Sequence, residues 1–306
     1  MRVHVAAYAC SASLDAEAET ALYDGLAELG VAGLEQPFFG SLHRRDDAWL
    51  LDRLRPDWTF VFTLLPGVMD RLKDDARFGL ASADKDGRAR ALDFAESARR
   101  TIEHLNRYLG RRAVVAVELH SAPRLAGAGA KSSVEAFVDS LSQLRGRDWM
   151  GATLLVEHCD AALPAHAPDK GFLRIEEEIV AIGESAGKTP VKLAINWGRS
   201  ALETRSAKGA LDHIRRAAEA ELLGALFFSG VTADHPDYGA WKDSHVPFST
   251  SCPSSLLTPA AAKAALTAAP NCPIYGLKLQ TLPHTMNAAQ RLTVIRDGLD
   301  QLRKLA

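Results

Sequence analysis

The chain has 306 residues, 47% of them hydrophobic and 24% charged, the proportions of a globular protein with ample material for a core. Its 36 basic and 38 acidic residues leave a net charge of −2, which excludes a long-range field drawing in nucleic acid or an anionic membrane. No apolar run approaches the roughly 18 residues of a membrane span, and Cys10, Cys159, Cys252 and Cys272 include no Cys-x-x-Cys pair, so a reduced cytoplasmic setting is expected.

Residues 3–8 read as a first strand, because their apolar run is short, broken by His4, and a poor signal peptide. Residues 14–29 have helical periodicity with Gly30 to close them, and residues 32–35 form a short second strand ending on Glu35. Residues 46–54 read as a helix with Asp46 and Asp47 at its positive end, and residues 58–64 as an aromatic, β-branched third strand. The stretch 67–87 is long for a strand-to-helix connection, which predicts either a lid or an inserted surface helix. A helix over 88–109, a fourth strand over 113–120, a flexible connection at Gly127, Gly129 and Ala130, and a helix over 132–144 follow. The fifth strand is Thr153-Leu154-Leu155-Val156, running straight into Glu157-His158-Cys159-Asp160. Then come a helix at 171–186, a strand at 191–197, a helix at 203–222 and a strand at 225–229. A second long loop at 230–257, a helix at 259–269, a strand at 273–279 and a helix at 287–305 complete the chain.

Apolar strands that alternate with helices require parallel pairing and right-handed crossovers. Eight such units without a break in composition predict a single (β/α)8 TIM barrel over residues 1–306, with loops 67–87 and 230–257 over its C-terminal face.

In such a barrel the strand exits converge, and here they supply Glu35, Thr63, Glu118, His120, Glu157, Asn196, Ser229 and Lys278. Alternation puts Glu118 and His120 on one side of the fourth strand as a candidate acid/base pair. It sets His158 and Asp160 opposite Glu157, where they brace a neighbouring helix. Lys278 is expected inside the rim, its charge met by Glu157 or a charged ligand, because an unpaired buried charge is costly. A purely structural ion pair, and a plain rim hydrogen bond for Glu118 and His120, stay open as alternatives. His4, His104 and His213 read as structural, and His166 and His284 lie in loops with no tie to chemistry.

With its exits in this order the chain resembles the xylose-isomerase-like barrels, the superfamily of sugar isomerases, epimerases and endonuclease IV. The resemblance implies a metal-bridging Glu after strand five, matched by Glu157, and an Asp-x-His in the loop after strand seven, matched by Asp243-Ser244-His245. It also implies an Asp-x-x-His after strand six, a His ending strand seven and a Glu ending strand eight. This sequence has Asn196-Trp197-Gly198-Arg199, Ser229 and Lys278 there instead. Pro66-Gly67-Val68-Met69, Asn196-Trp197-Gly198-Arg199 and Trp241-Lys242-Asp243-Ser244-His245 further resemble an uncharacterised bacterial family within that superfamily.

Arg199 and Lys278 are fixed cations where the resemblance implies metal ligands, and a fixed cation repels a divalent ion at short range. No metal cofactor is therefore expected; if a single divalent ion is retained, Glu157, Asp243 and His245 are its ligands. The expected enzyme is a sugar isomerase or epimerase that moves a proton next to a carbonyl of a small anionic sugar derivative. Glu157, Glu118, His120, His245 and Lys278 are the candidate catalytic groups, and Arg199, Asn196, Glu35, Asp243, His235 and Trp197 the candidate substrate-binding groups. The alternatives are a non-catalytic sugar-binding barrel, Schiff-base chemistry at Lys278, and DNA repair, which the charge balance disfavours. The expected partners are a carbohydrate-like small molecule and a second copy of the chain in a homodimer, with no nucleic acid and no membrane.

Overall fold

A computed structural model describes residues 1–125 and 131–306, so the connection expected at Gly127, Gly129 and Ala130 lies outside the described residues. The first half runs β1 (His4–Val5), α1 (Ala7–Cys10), α2 (Ala16–Glu28), β2 (Gly33–Pro37), α3 (Asp47–Leu51), β3 (Thr59–Thr63), α4 (Leu65–Asp74), α5 (Lys85–Tyr108), β4 (Val114–Leu119) and α6 (Val134–Arg145). The second runs β5 (Thr153–His158), α7 (Ile175–Glu184), β6 (Val191–Asn196), α8 (Trp197–Thr204), α9 (Ala207–Glu219), β7 (Leu223–Phe228), α10 (Pro259–Ala268), β8 (Ile274–Leu277) and α11 (Ala288–Leu305). The strands follow one another in sequence order as a closed parallel barrel, the topology that alternating apolar strands and helices predict. Among the described residues no helix is long and apolar enough to cross a membrane.

Two compact units divide the chain, one of Met1–Glu35, Asp52–Thr59 and Ile195–Ala306, the other of Gln36–Leu51 and Phe60–Ala194. In the first unit β1 pairs with β2 (His4↔Gly33) and with β8 (His4↔Gly276), and β7 pairs with β8 (Phe228↔Leu277). Gly33 has φ +151°, and a Cβ there would stand 1.8 Å from the Thr59 carbonyl oxygen, so only glycine permits this approach. The expected strand at 3–8 stops at Val5, its last β-branched residue; Ala7–Cys10 coil into a helical turn that carries Tyr8. The expected helix at 203–222 is two helices. Asn196 ends β6 and caps α8, accepting the Arg199 N–H at 3.3 Å; Arg205 then turns left-handed (φ 51°), and Ser206 caps α9. The loop at 230–257 is ordered by bridges between Gly230 and Val246 and between Thr232 and Ser255, over an apolar cluster of Tyr238, Val246 and Cys252.

In the second unit β3, β4 and β5 lie side by side, with Thr63 opposite Glu118 and Leu119 opposite Val156. The stretch 67–87 is largely helical and fastened down. Arg71 of α4 lies 3.8 Å over the Phe94 ring and donates to the carbonyls of Phe39 and Gly67 at 3.2 and 3.0 Å. A helix is observed in this stretch as far as Asp74.

Candidate active site

Strand ends supply two sets of buried polar groups, one in each unit. In the second unit β4 carries Glu118 and stops just before His120, and β5 ends in Glu157 and His158. His120 Nε2 lies 2.8 Å from Glu157 Oε2, with neither side chain exposed. An imidazole held against a carboxylate and shielded from water is the donor-and-acceptor arrangement that general acid–base chemistry uses. Glu118 is fully buried on the strand that leads to His120, in register with Thr63.

Because strand side chains alternate, His158 leaves β5 on the side away from Glu157. There its Nδ1 lies 2.7 Å from Glu178 Oε2 of α7, while the Ser121 hydroxyl donates to Glu178 Oε1 at 2.6 Å. Asp160 accepts the backbone N–H groups of Asp169 and Lys170 at 2.6 and 2.9 Å, ordering the approach to α7. His158 and Asp160 therefore brace, as alternation predicts. Sequence reasoning missed Glu178 and Ser121. The available signal was Glu178 itself, a carboxylate set among Ile175, Ala181 and Ile182 on the buried stripe of α7, where it needs partners.

In the first unit, Lys278 follows β8 and places its ammonium 2.6 Å from Glu35 Oε1, with exposures of 1% and 0%. Sequence reasoning set Glu157 against this charge; the carboxylate that meets it within the first unit is Glu35. Tyr8, which sequence reasoning did not select, donates its hydroxyl to Glu35 Oε1 at 3.4 Å, and its ring centroid lies 5.4 Å from Lys278 Nζ. Arg199 Nε donates to Asp243 Oδ2 at 3.0 Å, and His245 Nδ1 lies 3.4 Å from Asp243 Oδ1. His245 holds a left-handed backbone (φ 47°), a strained conformation that persists only where the surrounding loop enforces it. Ser229, just past β7, donates to Asn196 Oδ1 at 2.7 Å. His235 uses Nδ1 to accept the N–H groups of Asp237 and Tyr238 at 3.1 and 3.3 Å, so it shapes its own turn. Trp197, the first residue of α8, is buried.

Donor chemistry in the second unit fits one divalent ion. His120, Glu157 and Cys159 each bring a ligand atom to within 4.8 Å of the others, a nitrogen, oxygen and sulfur set that suits zinc. The His120–Glu157 hydrogen bond engages two of those groups. Of the ligands expected from the sequence, Asp243 already accepts the Arg199 guanidinium at 3.0 Å.

The family model described as "Domain of unknown function (DUF4862)" matches residues 4–294. A protein of Salmonella typhimurium (strain LT2), described as uncharacterised, is 34% identical over 307 residues, which cover 98% of this chain and 96% of that one. Among solved structures, an L-ribulose 3-epimerase is similar with a TM-score of 0.65 at 17% identity, over 99% of this chain and 95% of its own. The IOLI protein, solved with a zinc atom bound, has a TM-score of 0.66 at 13% identity, over 100% of this chain and 99% of its own. At such identities what is shared is the fold, that of the xylose-isomerase-like barrels.

Proposed function

The chain belongs to the DUF4862 family, and from that premise we propose that it is a sugar isomerase or epimerase, acting on a small sugar derivative by proton transfer next to a carbonyl. The observation that carries this reading is the buried His120–Glu157 pair, 2.8 Å apart at neighbouring strand ends. Support comes from the fold shared with an L-ribulose 3-epimerase. In the proposed role Glu157 removes the proton from the carbon beside the carbonyl, and His120 holds or returns it. Glu118 is the further acid/base candidate of the same unit. The anionic substrate favoured by the sequence would have to compete with two carboxylates already in place, Asp243 on Arg199 and Glu35 on Lys278.

The cluster of His120, Glu157 and Cys159 favours a second reading, in which these residues hold a single divalent ion. When bound, such an ion supplies Lewis-acid polarisation of a carbonyl oxygen.

The test is incubation of the protein with a panel of pentoses and hexoses, as aldoses and as ketoses, followed by proton NMR. Interconversion of at least one sugar is expected. A panel left wholly unchanged, with no sugar raising the melting temperature, counts against both readings.

A further inference from the structure

Asn196 is fully buried, and its side-chain nitrogen has no hydrogen-bond partner among the described residues. The orientation of this carboxamide is fixed by chemistry, although oxygen and nitrogen look alike in shape. Its Oδ1 faces the backbone N–H of Arg199 at 3.3 Å, and a backbone N–H can only donate, so the oxygen must lie there. The Ser229 hydroxyl donates to the same oxygen at 2.7 Å. Turning the amide over would set two donors against the Arg199 N–H.

The neighbours leave little room to relax. A Cβ on Gly198 would stand 2.5 Å from Ser229 Oγ, so the first turn of α8 approaches the end of β7 as closely as glycine allows. Arg199 is held in turn by Asp243. The result is a rigid carboxamide with two N–H donors facing no acceptor among the described residues. A buried donor without an acceptor is costly, and a bound oxygen atom would offset that cost.

We propose that the Asn196 carboxamide is a binding group for a hydroxyl or carbonyl oxygen of an uncharged carbohydrate. The charge pattern of the first unit selects the ligand class. Arg199 Nε is paired with Asp243 at 3.0 Å and Lys278 Nζ with Glu35 at 2.6 Å, so a ligand anion would compete at each cation with a carboxylate already in place. Neutral donors beside charge-balanced pairs favour a neutral oxygen over a phosphate or carboxylate. This inference rests on the proposed function for the ligand being a sugar, and refines it by removing the negative charge expected from the sequence.

The test is calorimetric titration of the full chain with D-fructose and L-ribulose, with D-fructose 6-phosphate, and with D-gluconate, repeated on N196D. That variant keeps an acceptor for Ser229 and the Arg199 N–H, deletes the two N–H donors and adds a carboxylate charge. The neutral ketoses are expected to bind more tightly than either anion, and N196D to weaken them about ten- to hundredfold. Tighter binding of an anion, no binding of a neutral ketose, or equal affinity in N196D overturns the proposal. Should N196D fail to fold, the side-chain NH2 resonances of Asn196 in the 15N-labelled wild-type protein decide. A shift on adding neutral ketose supports the site, and no shift means a carboxamide hydrated by water only, which overturns it. Solvent-deuterium incorporation, read in the same samples, separates this inference from the proposed function. Asn196-dependent binding without deuterium leaves the subsite and removes the isomerase; deuterium with unaltered N196D affinity does the reverse.

Discussion

Lys278 Nζ and Glu35 Oε1 lie 2.6 Å apart although 243 positions separate the two residues in the chain. The ammonium arrives just after β8 and the carboxylate from β2, and both are shut away from water. Removing one partner leaves the other buried and charged, a loss of roughly 3–5 kcal/mol, whereas replacing both with apolar residues is far milder. Lys278→Met alone is therefore expected to lower unfolding stability by about that amount, and Lys278→Met combined with Glu35→Leu by clearly less. Urea denaturation of the two variants measures this. Additive losses would show that the two charges do not depend on one another.

Glu178 ties Ser121 and His158 to α7 through its two carboxylate oxygens. Glu178→Ala removes the acceptor of the buried Ser121 hydroxyl and the partner of His158 Nδ1, and a loss of about 2–4 kcal/mol is expected, one unsatisfied buried polar atom costing roughly 1–3. Equilibrium unfolding of the variant tests it, and a change below 1 kcal/mol, the scale of one ordinary hydrogen bond, would mean that the network carries no stability.

Much of the framework was legible because it is local. Runs such as Thr59–Thr63 and Thr153–His158 are too short for a helix and rich in β-branched, aromatic and aliphatic residues, so they read as buried strands, and a carboxylate at the end of such a run marks an exit. The bracing role of His158 followed from alternation alone. What the chain hides is the choice of partner across distance. Nothing near Lys278 in sequence tells that Glu35 rather than another carboxylate meets it in the first unit, and Tyr8 was read as strand because one turn of helix after Val5 leaves almost no periodic trace. The break between α8 and α9 rests on a single left-handed residue, Arg205, and one capping serine, both weaker than the continuous helical pattern around them.

His4 gives a pH signature. Burial, the largest cause, pushes its imidazole down to about 4, whereas an exposed histidine titrates near 6.5. Between those values the unfolded chain binds a proton that the folded chain refuses, so stability is complete above about pH 6.5 and drains away as the pH falls toward 4. The His4 ring bonds Thr59 Oγ1 at 2.9 Å, a contact that a glutamine can keep. His4→Gln is expected to flatten the stability profile across that window, measured by denaturation at a series of pH values. A slope equal to that of the wild type would assign the effect to other groups.

The ligand cluster of His120, Glu157 and Cys159 can be tested apart from turnover. An ion that binds only the folded chain raises its melting temperature, and the rise grows with ion concentration. Zinc is expected to stabilise the wild-type protein and to do so much less in Cys159→Ser, with bound metal counted by elemental analysis. Equal stabilisation of the two proteins would remove Cys159 from the ligand set.

The most direct measurement is deuterium exchange from solvent into the carbon beside the carbonyl of a bound ketose, comparing the wild-type protein with Glu157→Gln. Glutamine keeps the size of the side chain and a hydrogen-bonding oxygen but cannot take up a proton. If Glu157 is the base, exchange falls by roughly 10²–10⁴, the usual contribution of such a group, while sugar binding and melting temperature stay near their wild-type values. Exchange at the wild-type rate in Glu157→Gln would contradict the account.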